Sequence, residues 1–401
     1  MNSNRWTANG RGAKRVFYQP ITVWRSLFNK RYTVYNNSMP LKTVIGDHGS
    51  AHKGRGATIN PEGRFEKGAR EAFDDGWNVP LEGEPGRPQT IVTAERVKSI
   101  ISKNESPDIP FTLSINPYRG CEHGCIYCYA RPSRAYLDLS PGIDFETRLF
   151  AKVNAAERLR EELARPGYVC SPITIWANTD PYQPVEREWK ITRAILQVVE
   201  ECNQPIGIIT KNALVERDLD ILAPLADKGL VSVFISVTTL DSDLARRMEP
   251  RASAPARRIE AIRRVAQAGV PVGVVVAPIV PFLTDSATEQ ILEAAHDAGA
   301  LSAGYVLMRL PYEVKDLFKD WLMHHYPLKA EHVMSRVKQM RGGRENDPEF
   351  GKRMRGSGEF ADLLRLRFEK TCKRLGLNEH RRVLDVAQFR RPRLGGQMHL
   401  F

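Results

Sequence analysis

The sequence predicts an α/β protein whose residues 111–310 form a partial (β/α)6 barrel of the TIM type, with a basic N-terminal extension and a helical C-terminal segment. Three observations carry this. Six short apolar segments, rich in β-branched residues or glycine, recur through that stretch, as strands covered on both faces do. Segments with a 3.6-residue apolar period alternate with them. A cysteine loop and several polar groups follow the apolar segments directly, at the carboxyl ends where such folds gather their chemistry.

Taken in order, residues 1–52 are a basic extension, in which Trp6, Phe17, Tyr18, Trp24, Phe28, Tyr32 and Tyr35 are interleaved with Lys and Arg. Such a mixture either stacks on exposed bases or stays an unstructured end, and the second reading is the simpler one. Met39 is an alternative start to Met1. Residues 53–110 form an N-terminal segment ahead of the barrel. Strands are expected at Phe111–Asn116, Ile173–Asn178, Ile206–Thr210, Val231–Thr238, Val270–Pro278 and Ala303–Leu310. Helices are expected at Asp144–Glu162, Lys190–Cys202, Arg217–Asp227, Pro255–Ala268 and Thr288–Ala298. Asp218, Leu219, Ile221, Leu222 and Leu225 give the stripe of a helix lying on a sheet. Six right-handed βα units suit an open barrel rather than a closed eight-stranded one. Residues 311–401 continue with helices at Val314–His325, Glu331–Met340 and Glu359–Gly376, separated by the basic loops Arg341-Gly-Gly-Arg344 and Lys352-Arg-Met-Arg-Gly356.

The loop after the first strand holds Cys121, Cys125 and Cys128, spaced C-x3-C-x2-C. A 4Fe–4S cube held by three thiolates leaves one iron open to a small molecule. Gly120 and Gly124 allow the chain to wrap a cluster through conformations that other residues resist. A Cys3His zinc site using His123 is the rival reading. His123 is cramped between two cysteines and no second C-x2-C follows, so the spacing favours iron and sulfur.

Six cysteines in 401 residues are too few for a disulfide scaffold, and a reducing, cytoplasmic setting suits both the thiols and a cluster. The first thirty residues hold no apolar core of a secretory signal. The longest apolar run, 269–280, is interrupted by Gly and Pro and is too short for a bilayer, so no membrane association is expected. The net charge of +12 is uneven: residues 1–60 carry ten Lys or Arg and one acid, and residues 311–401 carry twenty and twelve. The middle is mildly acidic. Basic ends on an enzyme core suit a polyanion, because each cation near a phosphate releases counterions; solvated surface charge is the plain alternative.

The cysteine spacing, with the aromatic Tyr127 before the third cysteine, resembles the radical S-adenosylmethionine (SAM) enzymes. That resemblance implies SAM chelated at the open iron and split by one electron to methionine and a 5′-deoxyadenosyl radical, and it implies a reductase or flavodoxin-type electron donor. Ile208-Ile-Thr-Lys-Asn212, Phe234-Ile-Ser-Val-Thr238, Met248-Glu-Pro-Arg251 and the run 271–279 narrow it to the spore photoproduct lyase-like branch. Lys53-Gly-Arg-Gly-Ala57, Asn60-Pro61, Arg64-Phe-Glu66, Asn178-Thr-Asp-Pro-Tyr-Gln-Pro184 and a terminal Gln-x-x-Leu-Phe resemble a bacterial subgroup of that branch whose activity is largely unassigned. By this resemblance Thr179 and Asp180 contact SAM, Lys211 lies near its carboxylate, Ser236 hydrogen-bonds the ribose, and the backbone beside Tyr127 meets the adenine. The chain departs from the branch at one place: where spore photoproduct lyase has a hydrogen-donating cysteine, Trp176-Ala-Asn-Thr-Asp180 has none. Cys170, before that strand, reads as a small apolar residue, and Tyr182, Tyr305 and Tyr312 read as packing aromatics or as substitute donors.

DNA, as a lesion or a modified base, is the expected substrate. RNA, a protein or a metabolite is the alternative, and a non-enzymatic iron–sulfur electron carrier or nucleic-acid-binding protein is a third reading. The last residues, Gly396-Gln-Met-His-Leu-Phe401, resemble the short peptide by which bacterial replication and repair proteins dock on the DNA sliding clamp. Gln397 would give the polar contact, with Leu400 and Phe401 as apolar anchors. An apolar tail folded back on the protein is the plain alternative.

Overall fold

Most strands that set the barrel are short, largely buried runs bounded by loops that reach the site. The computed structural model describes residues 54–65, 88–380 and 383–394. Ten strands run among these described residues: β1 (Ile91–Glu95), β2 (Ile101–Lys103), β3 (Leu113–Ile115), β4 (Tyr118–Arg119), β5 (Arg148–Lys152), β6 (Ile173–Ile175), β7 (Ile206–Thr210), β8 (Val231–Ser236), β9 (Val272–Ile279) and β10 (Ser302–Leu307). Seven form one sheet in the order β10-β9-β8-β7-β6-β3-β2. The six from β3 to β10 pair in parallel, each beside the next barrel strand. β2 runs antiparallel on β3 and caps that edge. No strand pair closes β10 onto the far edge among the described residues, so this is an open, six-strand parallel sheet. Each of the six parallel strands overlaps one of the six expected.

Helices lie between the strands at Ala155–Ala164, Ile191–Cys202, Leu219–Asp227, Ser242–Met248, Pro255–Gln267 and Thr288–Asp297. Ile191–Cys202 shows why they dock: Ile191, Ile195, Leu196, Val198, Val199 and Cys202 are all buried. Each large aliphatic side chain so buried contributes about 1.5–3 kcal/mol. Pro255 opens its helix at a position that needs no N–H donor. The Asp241 carboxylate accepts from the N–H groups of Asp243 and Leu244 and so starts Ser242–Met248, a helix the sequence reading passed over.

One expected element is corrected. Asp144–Glu162 is not a continuous helix: a turn of helix at Ile143–Thr147 gives way to β5, and helix resumes at Ala155. Arg148–Lys152 buries alternate residues, Leu149 and Ala151. That period of two is satisfied by pairing β5 in parallel with β1 and antiparallel with β4, partners a local pattern does not reveal. The last strand also stops at Leu307, which leaves Met308, Arg309 and Leu310 free to form a loop.

The C-terminal segment packs helices Val314–His325, Pro327–Gln339 and Glu359–Leu375 onto the same body. Arg367 holds Glu289 in a two-point ion pair, which ties Glu359–Leu375 to Thr288–Asp297. The turn at Lys352–Arg355 is joined to the end of β10 by a Leu307 N–H bond to the Met354 carbonyl, 2.9 Å. The expected bounds of the middle helix shift toward the N-terminus, because Pro327 suits a first helical position.

Candidate active site

The cysteine loop leaves β4 and turns at Gly120 (φ +78°) and Gly124 (φ +68°). Neither position has room for a side chain: a Cβ on Gly120 would lie 2.6 Å from the Arg134 guanidinium, and one on Gly124 would lie 2.7 Å from the Glu146 carboxylate. Main-chain bonds from Gly124 N–H to the Cys121 carbonyl and from Cys128 N–H to the Cys125 carbonyl curl the loop inward. Cys128 packs against both the small apolar cluster that holds Cys121 and the larger one that holds Cys125 and Tyr127. Arg131, fully buried, donates to the carbonyls of Gly124 and Cys125 and pairs with Glu146. The Glu146 carboxylate also accepts from the N–H groups of Gly56 and Ala57, each at 2.9 Å. Residues 54–57 of that motif are therefore a strap over the loop, and a Cβ on Gly56 would sit 1.8 Å from the Gly124 carbonyl oxygen.

Burial pushes all three thiols above their ordinary value, and Lys211 is among the groups that pull Cys125 and Cys128 back down. Burial alone therefore keeps these thiols protonated, and they give up their protons only to a bound cation, as a coordinating thiol does outright. Among the described residues no three His, Cys, Asp or Glu side chains converge on a single ion. A cube does not require that, because each thiolate takes its own iron. His123 is occupied elsewhere: Nδ1 lies 3.4 Å from Asp180 and Nε2 lies 3.2 Å from the Asn212 amide. The residues present thus fit a three-thiolate cluster better than a Cys3His zinc ion.

The strand ends bring the other expected residues beside this loop. Lys211, after β7, donates from Nζ to Ser236 Oγ of β8 at 3.1 Å, with its ammonium 5.9 Å from the Tyr127 ring centre. Thr179, after β6, donates its hydroxyl to the Tyr118 carbonyl at 3.1 Å. The Asp180 carboxylate accepts from Thr210 Oγ1 (2.7 Å), the Tyr182 N–H (2.9 Å) and the Lys211 N–H (2.7 Å), besides facing His123. Burial alone would raise its pKa, but these partners outweigh it and hold the carboxyl below its ordinary value. Its oxygens are thus engaged by protein donors. Tyr127 gives its hydroxyl to Glu249, which also takes the Thr238 hydroxyl and the Arg258 guanidinium in a fully buried network. Burial raises Glu249, and Arg258 and Lys211, followed by the hydrogen bonds from Thr238 and Tyr127, bring it below its ordinary value.

Several groups of the site escaped the sequence reading. Gln183 clasps the start of the cysteine loop on both sides of Cys121, accepting from Glu122 N–H (2.8 Å) and donating to the Gly120 carbonyl (3.2 Å). Arg251 reaches Glu122 at 2.8 Å. Both residues lie inside motifs already singled out, yet their partners are distant in sequence. Of the other tyrosines, Tyr182 is buried in the core, the Tyr305 ring packs on Phe368 at 4.6 Å, and Tyr312 is exposed under the Arg64 guanidinium. Cys170 lies before β6, 3.7 Å from the Gln204 side chain. Residues 1–53 and the terminal Gln397, Leu400 and Phe401 lie outside the described residues.

Comparison with known proteins gives a family likeness over part of the chain. Residues 115–295 match the Radical SAM superfamily. The chain carries a radical SAM domain. That superfamily works with a 4Fe–4S cluster and SAM, and it requires a reductant. Uncharacterized proteins of Mycobacterium bovis and Mycobacterium tuberculosis are 37% identical over 221 residues, which is 55% of this chain and 65% of theirs. The chain thus spans just under two thirds of these relatives. An uncharacterized protein of Methanocaldococcus jannaschii is 24% identical over 242 residues, 60% of this chain and 86% of the relative. Among solved structures, spore photoproduct lyase complexed with dinucleoside spore photoproduct has the same fold. It superposes with a TM-score of 0.51 at 16% identity, covering 71% of this chain and 80% of that one. A variant of the same enzyme with bound SAM and dinucleoside spore photoproduct matches to the same extent, at 17% identity. The radical SAM domain of this chain thus shares the open parallel barrel, with its cysteine loop at the same rim as Lys211 and Ser236.

Proposed function

We propose that this chain is a radical SAM enzyme that cleaves SAM reductively and acts on DNA, on a lesion or a modified base. The observation that carries the first part is convergence: the buried Cys121 and Cys125, the half-buried Cys128, Lys211 and Ser236 meet at the carboxyl ends of β4, β7 and β8. When bound, the cluster supplies the electron that splits SAM. The chain's own groups have separable tasks. The Cys121, Cys125 and Cys128 thiolates hold the cluster, Lys211 offers an ammonium to a carboxylate, and Ser236 offers a hydroxyl to a diol. Thr179 and Asp180 fix the loop that carries them, and Tyr127 is held in place by Glu249.

The DNA part is supported by where the basic C-terminal segment lies. The Lys352–Arg355 turn is bonded to the end of β10, and Arg309, just beyond that strand, sits 5.8 Å from the ring of Tyr129, the neighbour of Cys128. Spore photoproduct lyase, whose fold this chain shares, was solved with a dinucleoside photoproduct. The terminal Gln397, Leu400 and Phe401 motif extends the proposal to docking on the DNA sliding clamp. A titration of clamp against the intact chain and a Leu400→Ala/Phe401→Ala double variant tests it, and equal binding by both overturns it.

Anaerobic reconstitution with iron and sulfide, followed by assay of 5′-deoxyadenosine, tests the enzyme class; a brown protein that never releases it under reduction points to an electron carrier instead. DNA affinity at several salt concentrations tests the substrate class, because the slope counts phosphate contacts. Absence of any affinity for single-stranded, duplex or ultraviolet-damaged DNA would turn the reading to RNA, a protein or a metabolite.

A further inference from the structure

We infer that Arg309 is the receptor for a backbone phosphate of one unstacked nucleotide, whose base lies against Tyr129 and Trp176 at the barrel mouth. The inference rests on the nucleic-acid reading above and adds the form of the strand and the residue that holds it.

Three arginines gather where β10 ends, and only one of them is free. Arg341 is fully buried and donates to four main-chain carbonyls, those of Leu307, Met308, Lys352 and Arg353, at 2.6–3.2 Å. It fastens the basic turn to the strand. Arg353 makes a two-point pair with Asp108. Arg309 has neither kind of partner: Nη1 meets only the Met354 sulfur at 3.3 Å, and the buried Nε has no hydrogen-bond partner. A thioether is a weak acceptor, whereas a guanidinium offers five donors in a rigid fork. Burial first, then the like charge of Arg353, depresses its basicity, so an anion arriving here is favoured.

The aromatic half of the site is as rigid as the cationic half. The Tyr129 hydroxyl is tied to the Ala177 carbonyl, and its ring stands edge-on to Trp176 at 6.1 Å and 73°. Trp176 is held at φ +147°, a backbone conformation that side chains resist and that persists only where the surroundings impose it. Tyr129 remains about a third exposed and is joined directly to Cys128. An arginine fork beside partly exposed aromatic rings matches a nucleotide on both counts: phosphate for the fork, base face for the ring. A small carboxylate would use the arginine and leave the rings idle. A base still stacked in a duplex cannot present its face, so the strand must be single or the nucleotide turned out.

The test is fluorescence anisotropy with a labelled single-stranded oligonucleotide and its duplex, using the anaerobically reconstituted full chain. Proteins are the wild type, Arg309→Ala, Arg309→Lys and, as a surface control, Arg374→Ala. Arg309→Ala should weaken single-strand binding about tenfold and reduce the salt slope by about one phosphate contact. Arg309→Lys should recover part of the loss, and Arg374→Ala should change nothing. A second measurement needs no variant: one methylphosphonate linkage, which removes a single phosphate charge, is scanned along the oligonucleotide. One position should cost the wild type about as much as Arg309→Ala does. Equal affinity of Arg309→Ala and wild type, or a scan with no sensitive position on either strand form, overturns the inference while leaving the nucleic-acid reading intact. A wild type that binds neither strand form overturns both.

Discussion

Residues of one type have unlike fates here, and neighbourhood decides which. Cys121, Cys125 and Cys128 share one buried loop, whereas Cys202 is enclosed in its own helix and Cys170 lies beside Gln204 before β6. Replacing any of the first three by Ala should abolish iron and sulfide loading, while Cys170→Ala and Cys202→Ala should load as the wild type does; full loading of Cys125→Ala sinks the cluster assignment. Lys211 and Asp180 differ in the same way. The Lys211 ammonium bonds one hydroxyl and points at the site, so Lys211→Ala should keep the cluster and weaken SAM binding by about 1.5–3 kcal/mol. Asp180 receives Thr210, Tyr182, Lys211 and His123, so Asp180→Ala should first lower the melting temperature, with about 1–3 kcal/mol for the buried donors left without an acceptor. Calorimetric SAM titration beside thermal melts separates the two, and unchanged SAM affinity in Lys211→Ala removes the pocket. Cys121, Cys125 and Cys128 were legible because spacing alone places them together, and Lys211 and Ser236 because each ends a strand. Gln183, Glu249 and Asn212 were not, because each is made functional by a partner that only the fold supplies: Glu122, Tyr127 and His123.

Elements were legible where the signal is local and hidden where it is not. All six barrel strands follow from apolar runs, and the stripe of Ile221, Leu222 and Leu225 is buried as its period requires. The break of 144–162 into helix, strand and helix was hidden because β5 exists only through β1 and β4. The strap at residues 54–57 was legible as a motif but mute as to purpose. Its purpose is argued from contact: Gly56 touches the Gly124 carbonyl and donates with Ala57 to Glu146, which holds Arg131 against the loop. Gly56→Ala has no space for its methyl, so the loop must move or the strap must lift. The expected result is a drop in melting temperature of the apo chain, about 1–3 kcal/mol for an overpacked contact, together with an altered electron paramagnetic resonance signal of the reduced cluster. Gly167→Ala is the control, since a Cβ there meets nothing within 4 Å. A Gly56→Ala chain with wild-type melting and an unchanged signal would show that the strap does not hold the loop.

Across the whole molecule, charge is less available than composition suggests. The C-terminal segment is strongly basic, yet Arg341, Arg353, Arg367 and Arg374 are held by carbonyls or carboxylates of the same body. On the nucleic-acid proposal, fewer of these cations are available to a polyanion than a count of residues implies, and Arg309 is the one that the proposal assigns to a phosphate. The packing of that segment also gives the molecule a measurable pH response. His325 closes the helix Val314–His325 against the Trp321 ring at 5.1 Å and stands edge-on to His324. Burial, then His324, then Arg247 push its pKa down to about 4 from the ordinary 6.5. The fold therefore keeps this imidazole neutral where the unfolded chain would protonate it. Its share of stability is complete above pH 6.5, falls as pH drops from 6.5 through about 4, and changes no further below that. Asp180 and Glu249, whose values are depressed from 3.8 and 4.5, contribute stability that is present above those values and is lost at lower pH still. The histidine arm is thus met first on acidification. Melting temperatures of the apo chain measured between pH 7.5 and 4.5 should fall more steeply for the wild type than for His325→Gln, which has nothing to protonate there. Parallel curves for the two proteins would mean that His325 takes its proton in the folded state as readily as in the unfolded one.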